Sequence, residues 1–196
     1  MNCRRIKELR GNVMRNLIAK GVSVHFGGVA ALSDLNLEVR EGSIIGLIGP
    51  NGSGKTTFFN CISRFISYGK GTIKYGEKDL KGCSPHEIVR LGIARTFQNI
   101  NLFKSRTILD NILIGMHRHI GNPVSSILSL PGALRRERSM HLRAVEIAEM
   151  LDIKEEIEQL VRNLPYGVQK RVEMARALAS EPELLLLDEP VAGCNE

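Results

Sequence analysis

This sequence predicts an α/β fold with a parallel core sheet, on three observations. Ile44 to Ile48 form an apolar run rich in β-branched residues, the pattern of a strand buried on both faces. A glycine-rich turn, Gly49 to Thr56, follows at once, and Phe58 to Phe65 read as the helix that continues from it. Leu184 to Leu187 then run into Asp188-Glu189-Pro190, a buried strand that delivers carboxylates to the C-terminal edge of a parallel sheet. Ligands sit at that edge in such folds. At 196 residues, 43% hydrophobic and 24% charged, the chain can bury a substantial core in one domain.

The ends of the chain differ from its body. Arg4, Arg5, Lys7, Arg10, Arg15 and Lys20 face Glu8 alone, so most of the net charge of +6 sits in the first residues. Such a leader reads as a solvated extension, or as a contact with an anionic membrane surface worth about 1 kcal/mol per basic residue. The near-neutral remainder argues against a nucleic-acid face, which would spread its basic charge over folded structure. Cys3, Cys61, Cys83 and Cys194 form no C-x-x-C pair and read as free thiols of a reducing compartment. No apolar run is long enough to span a bilayer, and the basic N-terminus lacks the apolar core of a signal peptide.

Residues 17 to 40 alternate apolar and polar, with Val22, Val24 and Phe26 before Gly27-Gly28 and Leu35, Leu37 and Val39 after it. This is a half-buried antiparallel hairpin. Glu41-Gly42 turns the chain into the Ile44–Ile48 run, and Thr72 to Tyr75 read as a further strand. Ser84-Pro85-His86-Glu87 is a helix start: serine at the cap, proline in the first turn, glutamate closing a capping box. His86-Glu87 does not extend to a zinc motif, because position 90 is Arg. Ile93 to Phe97 form another apolar strand ending at Gln98.

From 105 to 163 the character becomes helical. Thr107 to Asp110 cap a helix with Ile108, Leu109, Ile112, Leu113 and Met116 on its apolar face. Residues 120 to 133, with two prolines and several serines, read as an irregular insertion. Arg135 to Leu151 form a second helix with Ala144, Ile147, Ala148 and Leu151 on one face. His117 and His119 are two apart, the wrong spacing for one helix face, and read as solvated. Asn163 to Gln169 is a loop, followed by a helix with Val172, Ala175, Leu178 and Ala179 inward.

The chemistry concentrates in Gly49, Pro50, Asn51, Gly52, Ser53, Gly54, Lys55 and Thr56, which fit G-x-x-x-x-G-K-[ST], the phosphate-binding loop. Its glycines let backbone N–H groups approach phosphate oxygens with no Cβ in the way. Lys55 supplies a charge to the outer phosphates, and the Thr56 hydroxyl suits Mg²⁺. A helix beginning inside the loop aims its positive end at the anion.

Together these segments resemble the nucleotide-binding domain of ATP-binding-cassette proteins over nearly the whole chain after residue 16. GPNGSGKTT resembles the Walker A loop and LLLLDEP the Walker B strand. Gln98 falls at the Q-loop, and Phe26 at the aromatic position that stacks on adenine. LPYGVQKRVEMARAL is similar to the signature loop and its helix, and AGCN to the D-loop. FGGVAAL, GMHRH, the insertion after it, LPYG with Q-[KR]-R, and DEPVAGCNE narrow the resemblance to ATPase subunits of branched-chain amino-acid importers. The implied fold is a P-loop NTPase (RecA-like) core with a parallel sheet, an N-terminal antiparallel β subdomain and an inserted helical subdomain at about 105–165. Residues 1–15 are then a basic extension and 16–196 the ATP-binding domain.

The resemblance implies a head-to-tail dimer, with an identical or a different ATP-binding subunit. Each ATP lies between one subunit's Walker motifs and the other's signature loop. Phe26 stacks on adenine, Gly49 to Thr57 hold the phosphates, and Thr56, Gln98 and Asp188 organise Mg²⁺. Glu189 is the general base on the attacking water, with Lys55 and Gln98 completing the catalytic set. Leu164, Pro165, Tyr166, Gly167 and Val168 take the place of the usual LSGGQ, so a hydroxyl and a backbone N–H are lost at Pro165. The implied partners are integral-membrane permease subunits and, indirectly, an external solute-binding protein, with no nucleic acid. The implied location is peripheral, on the cytoplasmic side of the cell membrane. The family's switch histidine has no counterpart before Glu196, so the expectation is a C-terminally truncated cassette that binds nucleotide and hydrolyses it poorly. A cassette ATPase acting on nucleic acid or ribosomes, and a nucleotide-binding fragment without turnover, are the competing readings.

Overall fold

A computed structural model describes residues 15–96, 100–116 and 131–189, and the chain divides into two compact units, Met1–Ile88 and Val89–Glu196. The first unit is built on an antiparallel sheet. Strands β1 (Leu17–Phe26) and β2 (Val29–Val39) form the expected hairpin, pairing Leu17 with Val39 at one end and Phe26 with Val29 at the other, with the register shifting between Ala19 and His25. Gly27-Gly28 is its turn. β1 also pairs with β3 (Lys70–Tyr75), which carries the short β4 (Lys78–Asp79), so the strand order is β2-β1-β3-β4. Alternation buries Leu17, Ala19, Val22 and Val24 of β1, and Ile73 and Tyr75 of β3. Helix α1 (Lys55–Ile62) contributes buried Phe58, Cys61 and Ile62 to this unit.

The run Ile44–Ile48 corrects the sequence expectation. It forms no strand, and Ile44 and Ile48 are 100% and 96% exposed. A parallel strand exists only where neighbours accept and donate its backbone hydrogen bonds. No described strand pairs with this run. Helix α1 is also shorter than Phe65. It ends at Ser63, and Arg64 turns into the left-handed region at φ 61°.

The capped helix at Ser84 is as read. In α2 (Pro85–Arg90) the Ser84 N–H donates to Glu87 Oε2 at 2.8 Å, and the Glu87 N–H returns to Ser84 Oγ at 3.4 Å. Thr107 and Asp110 form the second capping box, at the start of α3 (Ile108–Gly115). Buried Asn111 ties this helix to the segment before it. Its amide donates to the carbonyls of Phe103 and Thr107, and its Oδ1 accepts the Phe103 N–H.

The second unit is mainly helical. Helix α4 (Pro131–Met150) starts earlier than Arg135, inside the stretch read as irregular, because proline is compatible with a first helical turn. Helix α5 (Tyr166–Ala179) begins at Tyr166, inside the expected loop, with Pro165 at its N-cap. Ile108, Ile112 and Met116 of α3, Ala144, Ile147 and Ala148 of α4, and Val172, Ala175 and Ala179 of α5 make one apolar core. α3 and α5 approach closely at Gly115, where a Cβ would run into the Arg176 carbonyl. β5 (Ile93–Arg95) and β6 (Leu184–Leu186) pair in parallel, Ile93 opposite Leu184 and Arg95 opposite Leu186.

Burial pushes the Cys61 thiol from its usual 9.0 to about 11, against a smaller opposing pull from Arg64. The folded chain keeps this proton up to about pH 11, whereas the unfolded chain releases it near 9.0. Folding therefore gains from this group fully below pH 9 and loses up to about 2 kcal/mol as pH climbs between the two values. Urea unfolding at pH 8 and pH 10.5 is expected to show a steeper loss of stability in the parent than in Cys61→Ala. Equal slopes would exclude Cys61 as the source.

Candidate functional site

The phosphate-binding loop is shaped by two left-handed glycines, Gly52 at φ 82° and Gly54 at φ 91°. Gly54 is the N-cap of α1, and no side chain caps that helix end. A Cβ on Gly54 would collide with the Ala31 carbonyl and, at 2.7 Å, with the Leu32 side chain, so only glycine lets the helix start here. The space in front of Gly52 is open. Lys55 folds back over the loop, and its Nζ donates to the carbonyls of Gly49 at 2.6 Å and Pro50 at 2.8 Å. Its ammonium is thus held inside the ring of backbone that an anion would enter. Thr56 and Thr57 follow in the first turn of α1, half-buried. Phe26, at the end of β1, is 50% exposed and lies outside the buried core.

The second unit carries the acids. Asp188 follows β6 and is buried, while Glu189 is exposed with its backbone at φ 48°. The Asp188 N–H donates to Thr96 Oγ1 at 3.3 Å, and Arg95 donates to Asp188 Oδ2 at 2.8 Å. Both side chains of that ion pair are 6% exposed. A second buried pair, Lys170 with Glu173 at 3.5 Å, lies on α5. Sequence reasoning missed both pairs. The signal available was a charged residue in each of two otherwise inward patterns, Arg95 after Ile93-Ala94 and Glu173 beside Val172.

The segment matched to the signature loop enters α5. Leu164 is buried, Pro165 and Tyr166 are exposed, and Gly167 and Val168 are half-buried. Gln169 Nε2 donates to the Leu164 carbonyl at 2.8 Å, and Lys170 Nζ lies 5.9 Å from the centre of the Tyr166 ring. Gln98, His117, His119 and the AGCN segment lie outside the described residues. Among the described residues, the structure brings Gly49 to Thr57 together in the first unit. It brings Asp188 together with Arg95 and Thr96 in the second.

The profile of a family described as ABC transporter matches residues 32–192. The chain belongs to the ABC transporter family. LivG of Salmonella typhimurium, named a high-affinity branched-chain amino acid transport ATP-binding protein, is 41% identical to it. That match covers 91% of this chain and 71% of LivG. A solved ATP-binding cassette of an ABC transporter in its ADP conformation superposes with a TM-score of 0.76 at 33% identity, covering 93% of this chain and 71% of that one. A second cassette, solved as a dimer in a post-hydrolysis state with ADP and Pi, gives 0.73 at 25% identity, covering 92% and 76%. The fold is thus that of ABC cassettes: an antiparallel β portion, a helical portion and a parallel strand pair.

Proposed function

We propose that this ABC chain is the ATP-hydrolysing subunit of a membrane importer for branched-chain amino acids. The observation that carries the nucleotide is the loop of Gly49 to Thr57, where left-handed glycines and the inward ammonium of Lys55 prepare a place for phosphate. The solute class rests on the name borne by the 41% identical LivG.

The donors present suit Mg²⁺, which prefers hard oxygens: a carboxylate on Asp188 after β6 and a hydroxyl on Thr56 in the first turn of α1. When bound, Mg²⁺ neutralises charge developing on the outer phosphates. Asp188 and Thr56, with Gln98, are its proposed ligands. Phe26 stacks on adenine, and the loop amides with Lys55 fix the phosphates. Glu189 takes the proton of the attacking water. Leu164 to Val168 face the nucleotide of a second ATP-binding subunit, with Gly167 the closest backbone. Catalysis is then chiefly positioning and charge stabilisation. No helix among the described residues is long and apolar enough to cross a membrane. As an importer subunit, the chain docks on integral-membrane permease subunits, peripherally and on the cytoplasmic side, and through them serves an external solute-binding protein.

The test is ATP hydrolysis against chain concentration, with and without a co-expressed permease pair. Turnover rising faster than linearly, and co-purification with the permease, is the expected result. Co-purification with RNA and no permease would overturn the importer assignment.

A further inference from the structure

We propose that the first half of α4 is a contact surface for a bilayer carrying anionic phospholipid headgroups. The importer reading gives this chain a protein contact at the membrane, and a direct lipid contact goes beyond it. Residues 135–143 of α4 hold Arg135, Arg136, Arg138 and Arg143 against Glu137, and all five are exposed. Arg138, Leu142 and Arg143 stand three, seven and eight residues after Arg135, so these side chains share one helix face. Met140, Ala144, Ile147 and Ala148 turn the other face into the apolar core. The packing of the helix thus fixes the arginine face outward.

This charge does nothing for the helix itself. Arg135 and Arg138 are like charges one turn apart, an arrangement that destabilises. α4 has no acid in its first turn and no base in its last, where the dipole favours them. The second half of the same helix is different: Glu146 pairs with Arg143 at 2.8 Å, and Glu149 with Lys154 at 3.3 Å. Among the described residues, no carboxylate pairs with Arg135, Arg136 or Arg138. The preceding sequence supplies none either, because Asp and Glu are absent from 111 to 136. Clustered positive charge held outward in this way is complementary to an anionic surface. Leu142, 60% exposed among the arginines, suits the boundary between headgroup and acyl chain. A single-stranded nucleic acid would call for aromatic side chains to stack its bases, and residues 135–150 contain no Phe, Tyr or Trp.

The experiment is co-sedimentation of the full chain with vesicles of mixed phosphatidylglycerol and phosphatidylcholine, and with vesicles of phosphatidylcholine alone. No permease is present, so the result is independent of the importer reading. The parent is expected to bind the anionic vesicles, to bind neutral ones about tenfold more weakly, and to be released as salt rises. Arg135→Gln/Arg136→Gln/Arg138→Gln is expected to weaken anionic-vesicle binding by about 10–10²-fold. Its urea midpoint is expected to equal or exceed the parent's, because the change relieves repulsion and glutamine is a good helix former. A midpoint well below the parent's would show that the helix uses these charges itself, and would overturn the proposal. Arg4→Gln/Arg5→Gln/Lys7→Gln, in the basic leader, controls for charge elsewhere, and binding is expected to persist in it. Binding lost in the leader variant and kept in the α4 variant would overturn the proposal. So would a parent that binds neither vesicle or both equally, or one that binds polyuridylate more tightly than vesicles and loses that binding in the α4 variant.

Discussion

Glu189→Gln is expected to bind ATP as tightly as the parent chain and to lose turnover by about 10²–10⁴-fold. The substitution keeps the shape of the side chain and removes only its capacity to accept a proton. Glu189 is exposed, directly after the buried Asp188, so the amide replaces no packing and leaves no buried group without a partner. Binding and turnover therefore separate. Nucleotide affinity by fluorescence titration, beside phosphate release under saturating Mg²⁺-ATP, reads the two independently. Turnover at the parent rate would remove Glu189 from the role of base. A parallel loss of affinity would place it in binding instead.

Lys55→Ala is expected to weaken ATP binding by about 10–10²-fold, the value of one charge-assisted contact to phosphate. Lys55 Nζ already lies against the Gly49 and Pro50 carbonyls, so its charge is positioned before any nucleotide arrives. The same two contacts give the experiment its control. Losing them loosens the loop, and Lys55→Met, which keeps the packing of the stem, separates that effect from loss of charge. Both variants binding ATP at the parent affinity would end the phosphate-loop assignment. Loss in Lys55→Ala with full affinity in Lys55→Met would make the lysine a packing residue only.

The elements legible in the sequence were those whose cause is local. The hairpin around Gly27-Gly28 follows from alternation and a turn. The caps at Ser84 and Thr107 follow from residues three apart that satisfy each other's backbone. The glycine-rich turn of Gly49 to Thr56 and the helix start after it were legible for the same reason, since its glycines and Lys55 act within one turn of chain. The Ile44–Ile48 run was not, because its pattern reports apolarity while strand formation needs a neighbour that no pattern within the run supplies. Arg95 and Asp188 are 93 positions apart, so neither residue's surroundings announce the other. The start of α5 was misplaced because Pro165 read as a loop residue, whereas it ends the extended chain and opens the helix.

The backbone of Glu189 stands at φ 48°, a region that residues other than glycine and asparagine occupy at a cost of about 1–2 kcal/mol. Left to conformational preference, that position would hold glycine or asparagine. A glutamate there, if it is the proposed base, sets its chemistry against the comfort of its own main chain. On that proposal, drift toward a better-folding chain at this single codon runs toward an inert one, and the inactive descendant is the sturdier protein.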